Sequence, residues 1–290
     1  MTIGESARRM ARSLAQATGA SNEDALRDVS VLMRHTLGWD MATWLTRQRD
    51  DVPDSLTVSV EQLVSRRARG EPVAHLIGER EFYGRPFIVN ADVLIPRPET
   101  EMLVERARSL LRARPASCVA ARVLDIGTGS GCVAVSIACE SPEAVVVATD
   151  ISSAALAVAQ SNAERHSIAS RVRFVHGPLT AGTADVDLIV TNPPYIPETD
   201  RTGLMRDVRD FEPATALFGG TDGLDVVRAL IPEALHALAA GGTILMEIGA
   251  GQVDRVTDLM HRAGFEGVTT HRDLAGIERM VEARRPELFV

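Results

Sequence analysis

Lysine is absent from this sequence, so the 31 basic side chains counted as lysine plus arginine are all arginine. They are outnumbered by 39 acidic side chains, which gives a formal net charge of -8 and a pI near 5.4. An acidic chain disfavours a broad phosphate-binding surface, although a local arginine patch is compatible with it. We therefore expect no direct nucleic-acid partner.

Cysteine is scarce, and the three residues, Cys118, Cys132 and Cys139, lack paired Cys-x-x-Cys spacing. Their odd number predicts neither a disulfide framework nor a structural zinc site, so we expect no metal and a reducing cytoplasm. Long apolar runs are lacking too, which predicts no membrane span. Residues 1–20 have the composition of a transit peptide, but Glu5 and the helical periodicity that follows favour a first helix.

The 290 residues, 45% of them hydrophobic, suggest one large domain and a smaller one. Before about residue 70, capping residues precede apolar positions at helical spacing, and Ser59-x-x-Gln62 has the outline of a capping box that opens a helix. We predict a helical domain over residues 1–75 and interpret it as a partner-recognition domain. The alternative is that these helices only cover an apolar face of the main sheet.

Aromatic and β-branched residues, broken by glycine and proline, occupy residues 82–89. This texture predicts a hairpin, and we assign residues 76–98 to a hairpin linker between the domains. The linker runs into Ile95-Pro96-Arg97-Pro98-Glu99-Thr100-Glu101. Its prolines stiffen the chain around Arg97, and Thr100 or Glu99 can cap the next helix.

From Arg122 onward, short apolar runs alternate with helical stretches. This alternation predicts an α/β fold over residues 99–290, with a mostly parallel sheet and right-handed crossovers. A helix is predicted over residues 224–238. Gly241-Gly242 is interpreted as its end, ahead of another strand. The last runs, 267–271 and 278–283, lie so close together that an antiparallel hairpin is easier than a crossover.

Three glycines punctuate Asp125-Ile126-Gly127-Thr128-Gly129-Ser130-Gly131, which joins a predicted buried strand to a helix. Such glycines let a small ligand lie against the backbone. Cys132 stands where the dinucleotide fingerprint has its third glycine, so the spacing of NAD sites is absent. Asp150 ends the following strand and is placed to bind ribose hydroxyls, although it could be only a helix cap.

The tetrapeptide Asn192-Pro193-Pro194-Tyr195 follows the apolar run 186–190. Asn192 precedes a proline and Pro193 has a fixed φ, so both are expected to be extended, with oxygens that point in definite directions. Two acceptors beside an aromatic ring, at the end of a strand where α/β sheets bind ligands, suit a planar NH2 group. Alone, the tetrapeptide is equally a proline-rich turn. Combined with the glycine loop and Asp150, it indicates S-adenosylmethionine-dependent methylation.

With these motifs the chain resembles the class I methyltransferases, and specifically the protein-(glutamine amide) methyltransferases that modify peptide chain release factors. The resemblance covers nearly the whole chain. Besides the motifs already quoted, it includes Glu212-Pro213, Ala216-Leu217-x-Gly219-Gly220-x-Asp222-Gly223-Leu224 and Met246-Glu247-Ile248-Gly249. It implies a Rossmann-like sheet with a reversed last strand, S-adenosylmethionine as the cofactor, and the glutamine of the release factor Gly-Gly-Gln loop as the substrate.

Motifs and resemblance together define the candidate site. The catalytic candidates are Asn192, Pro193 and Tyr195, and the substrate-binding set adds Pro194, Arg97 and Glu212. The cofactor-binding candidates are Asp125, Gly127, Thr128, Gly129, Ser130, Gly131, Asp150, Ile151, Leu179 and Asn192. One departure concerns adenine, because this chain has Gly177-Pro178-Leu179 where relatives usually carry an acidic residue that holds the adenine amine.

An amide nitrogen is a poor nucleophile because its lone pair is delocalised into the carbonyl. We expect the Asn192 side-chain oxygen and the Pro193 carbonyl to accept hydrogen bonds from both N–H groups and so aim the nitrogen, with no prior general base. Tyr195 either packs near the amide or the sulfonium, or only braces the loop. Residues 198–221 are interpreted as a substrate-facing lid, with a disordered excursion as the alternative.

Three other functions are compatible with parts of this pattern. An adenine-N6 methyltransferase acting on RNA or DNA would share Asn-Pro-Pro-Tyr, but a basic face is then expected. A non-catalytic factor that docks on the translation machinery would be expected to lack Gly127, Asp150 or Asn192, yet all three are present. A dehydrogenase is disfavoured by Cys132.

Overall fold

The computed structural model describes residues 1–115 and 120–287, so Cys118 lies outside the described residues. The chain divides into two compact units. One contains Met1–Glu79 with Met205–Phe211, and the other contains Arg80–Leu204 with Glu212–Val290. Among the described residues, no helix has both the length and the apolar character needed to cross a membrane.

The smaller unit is built of helices that share one apolar core. They are α1 Ile3–Thr18, α2 Asn22–Leu37, α3 Met41–Arg47, α4 Asp54–Ala68 and α5 Val73–Ile77. Thr2 and Glu5 form a capping box at α1, and Ser21 caps α2 by accepting from the Asp24 N–H. The core includes Leu14, Leu32, Met33, Trp44 and Val60.

The predicted start of the fourth helix at Ser59 is wrong, because α4 begins at Asp54, directly after the extended Pro53. Leu56, Val60 and Val64 are buried at i, i+4 and i+8, so Ser59 lies inside a helix that already faces the core. The capping-box outline was coincidental.

Met205–Phe211 also belongs to the smaller unit. It lies within residues 198–221, which contain a 3-10 turn at Glu198–Gly203 and two short helices, α9 Arg206–Phe211 and α10 Ala214–Leu217. Arg67 donates to Asp28 over 2.7 Å and its Nη1 lies 3.6 Å from an Asp207 oxygen. These part-buried charges connect α9 to α2 and α4.

The larger unit contains a short hairpin and a seven-stranded sheet. The hairpin strands are β1 Glu79–Phe82 and β2 Arg85–Ile88. The sheet strands are β3 Arg122–Ile126, β4 Val145–Asp150, β5 Val172–His176, β6 Val186–Thr191, β7 Leu238–Glu247, β8 Glu266–Arg272 and β9 Glu278–Arg284. Their order is β5-β4-β3-β6-β7-β9-β8.

The neighbouring strands in the series β5-β4-β3-β6-β7 pair in parallel, whereas β9 is antiparallel to both β7 and β8. The prediction of a mostly parallel sheet with a reversed last strand and a terminal hairpin is confirmed. The strand order reverses at β3, which lies between β4 and β6. Open α/β sheets bind ligands at such a switch point.

Helices cover both faces of the sheet, namely α6 Glu101–Arg112, α7 Cys132–Glu140, α8 Ser153–Arg165, α11 Asp225–Ala237 and α12 Val253–Ala263. Val123 packs in one core with α6 and α7, while its neighbour Leu124 packs in the other with α11 and α12. This alternation follows from the two-residue period of a strand.

The predicted helix over residues 224–238 corresponds to α11 Asp225–Ala237, so the prediction of this helix is confirmed. Its predicted end at Gly241-Gly242 is wrong, because β7 begins at Leu238, directly after α11. The glycine pair lies within β7, next to a register shift between Val186 and Leu188 of β6. Glycine inside a strand is typical of such an irregularity.

Candidate functional site

The candidate site forms at the carboxyl ends of three neighbouring strands. Ile126, the last residue of β3, is level with Thr149 of β4 on one side and with Thr191 of β6 on the other. The next residues along the chain are Gly127, Asp150 and Asn192. Parallel pairing therefore brings the glycine loop, the acidic residue and the Asn-Pro-Pro-Tyr loop to one edge of the sheet.

Backbone hydrogen bonds hold the glycine loop against β4. The N–H groups of Gly127 and Thr128 both donate to the Thr149 carbonyl, at 2.9 and 3.0 Å, and Gly131 donates to Thr128 over 2.8 Å. Gly131 has φ 78° and begins α7, where an added Cβ would lie 2.9 Å from the Ala159 Cβ. A side chain is therefore excluded at Gly131 by both its conformation and its neighbour.

Asp125 is buried beneath this loop at 2% exposure. Its Oδ2 accepts from the Thr128 hydroxyl over 2.7 Å and from the Ala134 N–H over 3.2 Å. Burial raises the Asp125 pKa to about 7, against the lowering effect of these two hydrogen bonds. Asp125 thus ties the loop to the first turn of α7.

Asp150 presents its carboxylate at the end of β4. Its Oδ2 accepts from the Gly129 N–H and its Oδ1 from the Ser152 N–H, each at 2.9 Å. The N-cap of α8 is Ser152, which accepts from the Ala155 N–H. Because each carboxylate oxygen has more than one acceptor position, Asp150 retains capacity for two further donors.

A cavity opens beside these residues and reaches the Asn-Pro-Pro-Tyr loop. Its lining includes Gly127, Gly129, Asp150, Ile151, Leu179, Asn192, Pro193, Pro194, Ala216 and Leu230. A smaller cavity shares Leu94, Gly127, Gly129 and Asn192 with the first, and adds Arg97, Thr100, Asp125, Thr128, Ser130 and Cys132. Burial raises the Cys132 pKa to about 12, so its thiol stays protonated.

Leu179 lines the larger cavity in a left-handed conformation, with φ 46°. Its carbonyl accepts from the Thr149 hydroxyl over 2.7 Å, which holds the turn against β4. A non-glycine residue with this φ is strained by about 1–2 kcal/mol, so surrounding contacts must hold it there. Pro178, just before it, offers neither a carboxylate nor an N–H group.

Asn192 lines both cavities, and its carboxamide is held through its nitrogen. Its Nδ2 donates to Thr100 Oγ1 over 3.2 Å. Thr100 or Glu99 was expected to cap the next helix. Thr100 occupies the N-cap position of α6 but makes no side-chain capping bond there, so the prediction is wrong for the Thr100 side chain. Its hydroxyl serves the Asn-Pro-Pro-Tyr loop instead.

Tyr195 is fixed at both its backbone and its ring. The Gln252 side chain donates to the Tyr195 carbonyl over 2.9 Å, and the Tyr195 hydroxyl donates to Glu247 Oε1 over 3.3 Å. An added Cβ on Gly223 would lie 2.2 Å from the Tyr195 carbonyl oxygen, so this glycine permits a close backbone approach. Burial and the nearby Glu247 raise the Tyr195 pKa, which keeps the phenol neutral.

Arg97 and Glu212 form a charge-assisted pair. Arg97 Nη2 donates to Glu212 Oε1 over 2.6 Å, and Glu212 Oε2 accepts from the Ile95 N–H over 3.0 Å. The Arg97 side chain is 31% exposed and that of Glu212 only 1%. Glu212 therefore fixes the loop that carries Arg97, while Arg97 lines the smaller cavity.

The structure brings most of the predicted site residues to these two cavities. The exceptions are three residues that line neither cavity. Gly131 packs against α8, Tyr195 bonds to Gln252 and Glu247, and Glu212 bonds to Arg97. Leu94, which lines both cavities, and Gln252 and Glu247, which bond to Tyr195, were not predicted as site residues from the sequence. For Glu247 a pattern was available, because it is an acidic residue at the end of the otherwise apolar run of β7.

Known proteins place this architecture in a family. A model described as "Methyltransferase small domain" matches residues 101–207, and one described as "PrmC N-terminal domain" matches residues 6–78. Release factor glutamine methyltransferase from Nitratidesulfovibrio vulgaris is 42% identical over 92% of this chain and 90% of its own length. The protein of the same name from Geobacter sulfurreducens is 42% identical over 90% of each chain. The chain belongs to the release factor glutamine methyltransferase family.

The fold is also similar to that of a solved structure outside this family. Among solved structures, the human METTL16 catalytic domain in complex with a MAT2A 3'UTR hairpin is similar, with a TM-score of 0.59 over 79% of this chain and 84% of that one. At 17% identity this likeness concerns the fold.

Proposed function

We propose that this chain transfers a methyl group from S-adenosylmethionine to the side-chain amide nitrogen of the glutamine in the Gly-Gly-Gln loop of peptide chain release factors. Family membership at 42% identity over most of the chain supports the reaction. The observation that carries the proposed site is that β3 lies between β4, which ends in Asp150, and β6, which leads to Asn192. A nucleoside-binding carboxylate and an amide-binding loop thus adjoin one cavity.

The cavity has the acceptor and apolar groups that S-adenosylmethionine requires. The free acceptor positions of Asp150 suit ribose hydroxyls, and Ile151, Leu179 and Leu230 supply apolar surface for adenine. Because Gly177-Pro178 carries no carboxylate, adenine would be held here by shape and backbone rather than by an acidic side chain. Gly127, Thr128, Gly129 and Ser130 would follow the remainder of the molecule. The bound cofactor supplies an electrophilic methyl group on a positively charged sulfur.

The Asn-Pro-Pro-Tyr loop would position the substrate amide. The Asn192 side-chain oxygen and the Pro193 carbonyl would each accept one of the two N–H bonds of the glutamine amide, which orients its nitrogen and returns electron density to it. One amide proton would leave late, to water, as the new C–N bond forms. Arg97, held by Glu212, would contact the substrate backbone near Pro194, and Tyr195 would brace the loop.

Methylation of an intact release factor tests the reaction. After incubation with the chain and S-adenosylmethionine, tandem mass spectrometry should find one added methyl group on the glutamine of the Gly-Gly-Gln loop, and none when that glutamine is replaced by alanine. Asn192→Ala should lower kcat by about 100-fold or more because the amide loses an orienting acceptor, while the melting temperature stays near that of the parent. Methyl transfer to RNA or DNA in place of the factor would support an adenine-N6 methyltransferase and refute the proposal.

A further inference from the structure

We infer that Gln252 is a positioning residue that aims the Pro193 carbonyl at the substrate amide by holding the Tyr195 carbonyl. Gln252 lines neither cavity of the site, so it acts through the Asn-Pro-Pro-Tyr loop and not by touching the substrate. The inference rests on the proposed function, because the Pro193 carbonyl is one of the two acceptors that the glutamine amide would use.

The Gln252 side chain bridges two backbone groups. Gln252 directly precedes α12 and is 8% exposed. Its Oε1 accepts from the Gly249 N–H over 2.9 Å, and its Nε2 donates to the Tyr195 carbonyl over 2.9 Å. An N–H group is matched only by the oxygen end of a carboxamide, and a carbonyl only by the nitrogen end. Both contacts therefore fix the same orientation of the carboxamide, with its nitrogen toward Tyr195.

Two glycines let the Gln252 side chain approach the Tyr195 backbone closely. An added Cβ on Gly223, which has φ 78°, would lie 2.2 Å from the Tyr195 carbonyl oxygen and 2.9 Å from Gln252 Nε2. An added Cβ on Gly249 would lie 2.9 Å from Gln252 Oε1 and 3.1 Å from Tyr195 Cδ2. A side chain at either glycine would force these groups apart, so close packing holds the contact on both sides.

The neighbouring carbonyls of the loop are also engaged within the chain. The Ile196 carbonyl accepts from the Gly219 N–H over 3.0 Å. The Pro194 carbonyl oxygen packs so closely on Gly219 that an added Cβ there would lie 2.4 Å from it. Pro193 lines the larger cavity. Its carbonyl is thus the one that the loop would offer to the substrate, next to three that are held by contacts within the chain.

The prolines explain why holding the Tyr195 carbonyl also directs the Pro193 carbonyl. Pro193 and Pro194 have no N–H groups, so neither can donate a backbone hydrogen bond that would anchor the loop. Because Pro194 fixes its own φ and peptide units are planar, few soft torsions separate the Pro193 carbonyl from the Tyr195 carbonyl. A hydrogen bond that fixes the second carbonyl therefore restricts the direction of the first.

Gln252→Glu makes this hydrogen bond depend on pH. The ionised new carboxyl cannot donate to the Tyr195 carbonyl, whereas the protonated one can. Burial and the Tyr195 carbonyl raise the pKa of the new carboxyl above its ordinary value. Its kcat on release factor should be at least about tenfold below that of the parent at about pH 9 and within about threefold of it at about pH 6, because misplacing a substrate-positioning group costs up to about 100-fold. Gln252→Met, which has no donor, should show the loss at both pH values.

The controls separate positioning from a structural role. Gln160→Glu, which places the same charge on the exposed face of α8, should keep the parental rate at both pH values. Glu247 at the Tyr195 ring and the Asp222–Arg255 pair beside Gly223 are common to all the chains, so dividing by the parental rate at each pH cancels their titration.

The loss in Gln252→Met should lie in kcat and not in the affinity for S-adenosylmethionine, since Gln252 lines neither cavity. Rates are measured well below the melting temperature of each variant. A glutamine that only stabilised the fold would then leave the kcat of the folded chains unchanged.

The inference is overturned if Gln252→Met retains kcat within about twofold, if the loss in Gln252→Glu is the same at both pH values, or if the affinity for S-adenosylmethionine falls as much as kcat. In each of these cases the parent still methylates the factor and the proposed function stands. A parent that leaves the factor unmethylated refutes both.

Discussion

At Asp150, two backbone N–H groups already occupy part of the carboxylate, one from the glycine loop and one from the start of α8. This tight anchoring explains how a surface carboxylate is held in one orientation before a ligand arrives. Pre-organised acceptors lose little conformational entropy on binding, so their hydrogen bonds contribute more fully to affinity.

Asp150→Ala should therefore weaken S-adenosylmethionine binding by about 10- to 150-fold, since hydrogen bonds to a charged group contribute about 1.5–3 kcal/mol. Isothermal titration calorimetry measures the change. The matched control is Asp258→Ala on α12, because the exposed Asp258 carboxylate pairs with Arg262 on the same helix. This variant should leave the affinity unchanged. Equal affinity of the Asp150 variant and the parent would rule out the ribose contact.

The protonation of Asp125 affects stability, because its carboxyl is buried beneath the glycine loop and burial raises its pKa to about 7. Its folded pKa lies above the unfolded value near 3.8, so the folded chain binds the additional proton between these pH values. The stability from this proton is fully present below the unfolded pKa and is lost as pH rises through about 7.

Asp125→Asn removes this titration and keeps a polar side chain of the same size. The free energy of unfolding of the variant, relative to the parent, should rise between about pH 4 and 7 with a slope of up to about 1.4 kcal/mol per pH unit, then level off. Urea denaturation at several pH values measures it. A difference that stays flat over this range would show that Asp125 is ionised throughout.

At the scale of the secondary-structure elements, the turn from β3 into α7 uses glycine at two positions for different reasons. Gly131 combines φ 78° with a neighbour that a Cβ would approach to 2.9 Å, whereas Gly129, at φ 54°, has no heavy atom within 4 Å of its Cβ position. The two glycines thus differ in contact but share a backbone conformation that favours glycine.

Because of this difference, alanine should lower the free energy of unfolding by unequal amounts at the two glycines. Gly129→Ala should destabilise the chain by about 1–2 kcal/mol from backbone strain alone, and Gly131→Ala by about 1–3 kcal/mol more from overpacking against Ala159. Combining Gly131→Ala with Ala159→Gly should recover only part of this overpacking, because the Ala159 Cβ at 2.9 Å is removed while its Cα still lies 3.1 Å from the added Cβ. Urea denaturation without cofactor supplies the three free energies, and equal losses for the two single variants would contradict the packing argument.

The elements also show what the sequence can predict. Alternating apolar runs were sufficient for the parallel order, the terminal hairpin and the meeting of Asp150 with Asn192, because strand register carries the ends of β4 and β6 to one edge. Predictions from local sequence patterns were wrong where a side chain bonds to a residue distant in the sequence. Thr100 has the right chemistry for a cap, yet its hydroxyl bonds to a residue 92 positions away. No local rule contains that contact, nor the one between the Tyr195 hydroxyl and Glu247.

For the whole molecule, the decisive feature is how the two units divide the chain. The smaller unit contains the N-terminal helices and also Met205–Phe211, which follows the Asn-Pro-Pro-Tyr loop by ten residues. Arg67 connects α9 to α2 and α4 through Asp207 and Asp28. The chain therefore leaves the catalytic unit just after the proposed substrate-binding loop, contributes a helix to the smaller unit, and returns at Glu212.

We propose that the smaller unit recognises the release factor. One glutamine in a short loop offers little surface, so selection among the many glutamines of other proteins requires contacts remote from the reacting amide. The helical unit has its own apolar core, with Leu32 and Met33 fully buried, which allows it to present a fixed surface. The alternative is that the N-terminal helices only cover an apolar face of the main sheet.

Removing residues 1–79 and replacing 205–211 with a Gly/Ser segment of equal length separates these roles. The shortened chain should bind S-adenosylmethionine with the affinity of the parent, because the proposed cofactor residues all belong to the larger unit. Methylation of intact release factor should fall by at least about 100-fold, since remote binding energy is lost, while slow methylation of a Gly-Gly-Gln peptide persists at the parental rate. A folded shortened chain that modifies the intact factor as fast as the parent would refute the recognition role. Loss of cofactor binding together with a collapsed melting transition would instead assign the helices to protecting the catalytic unit.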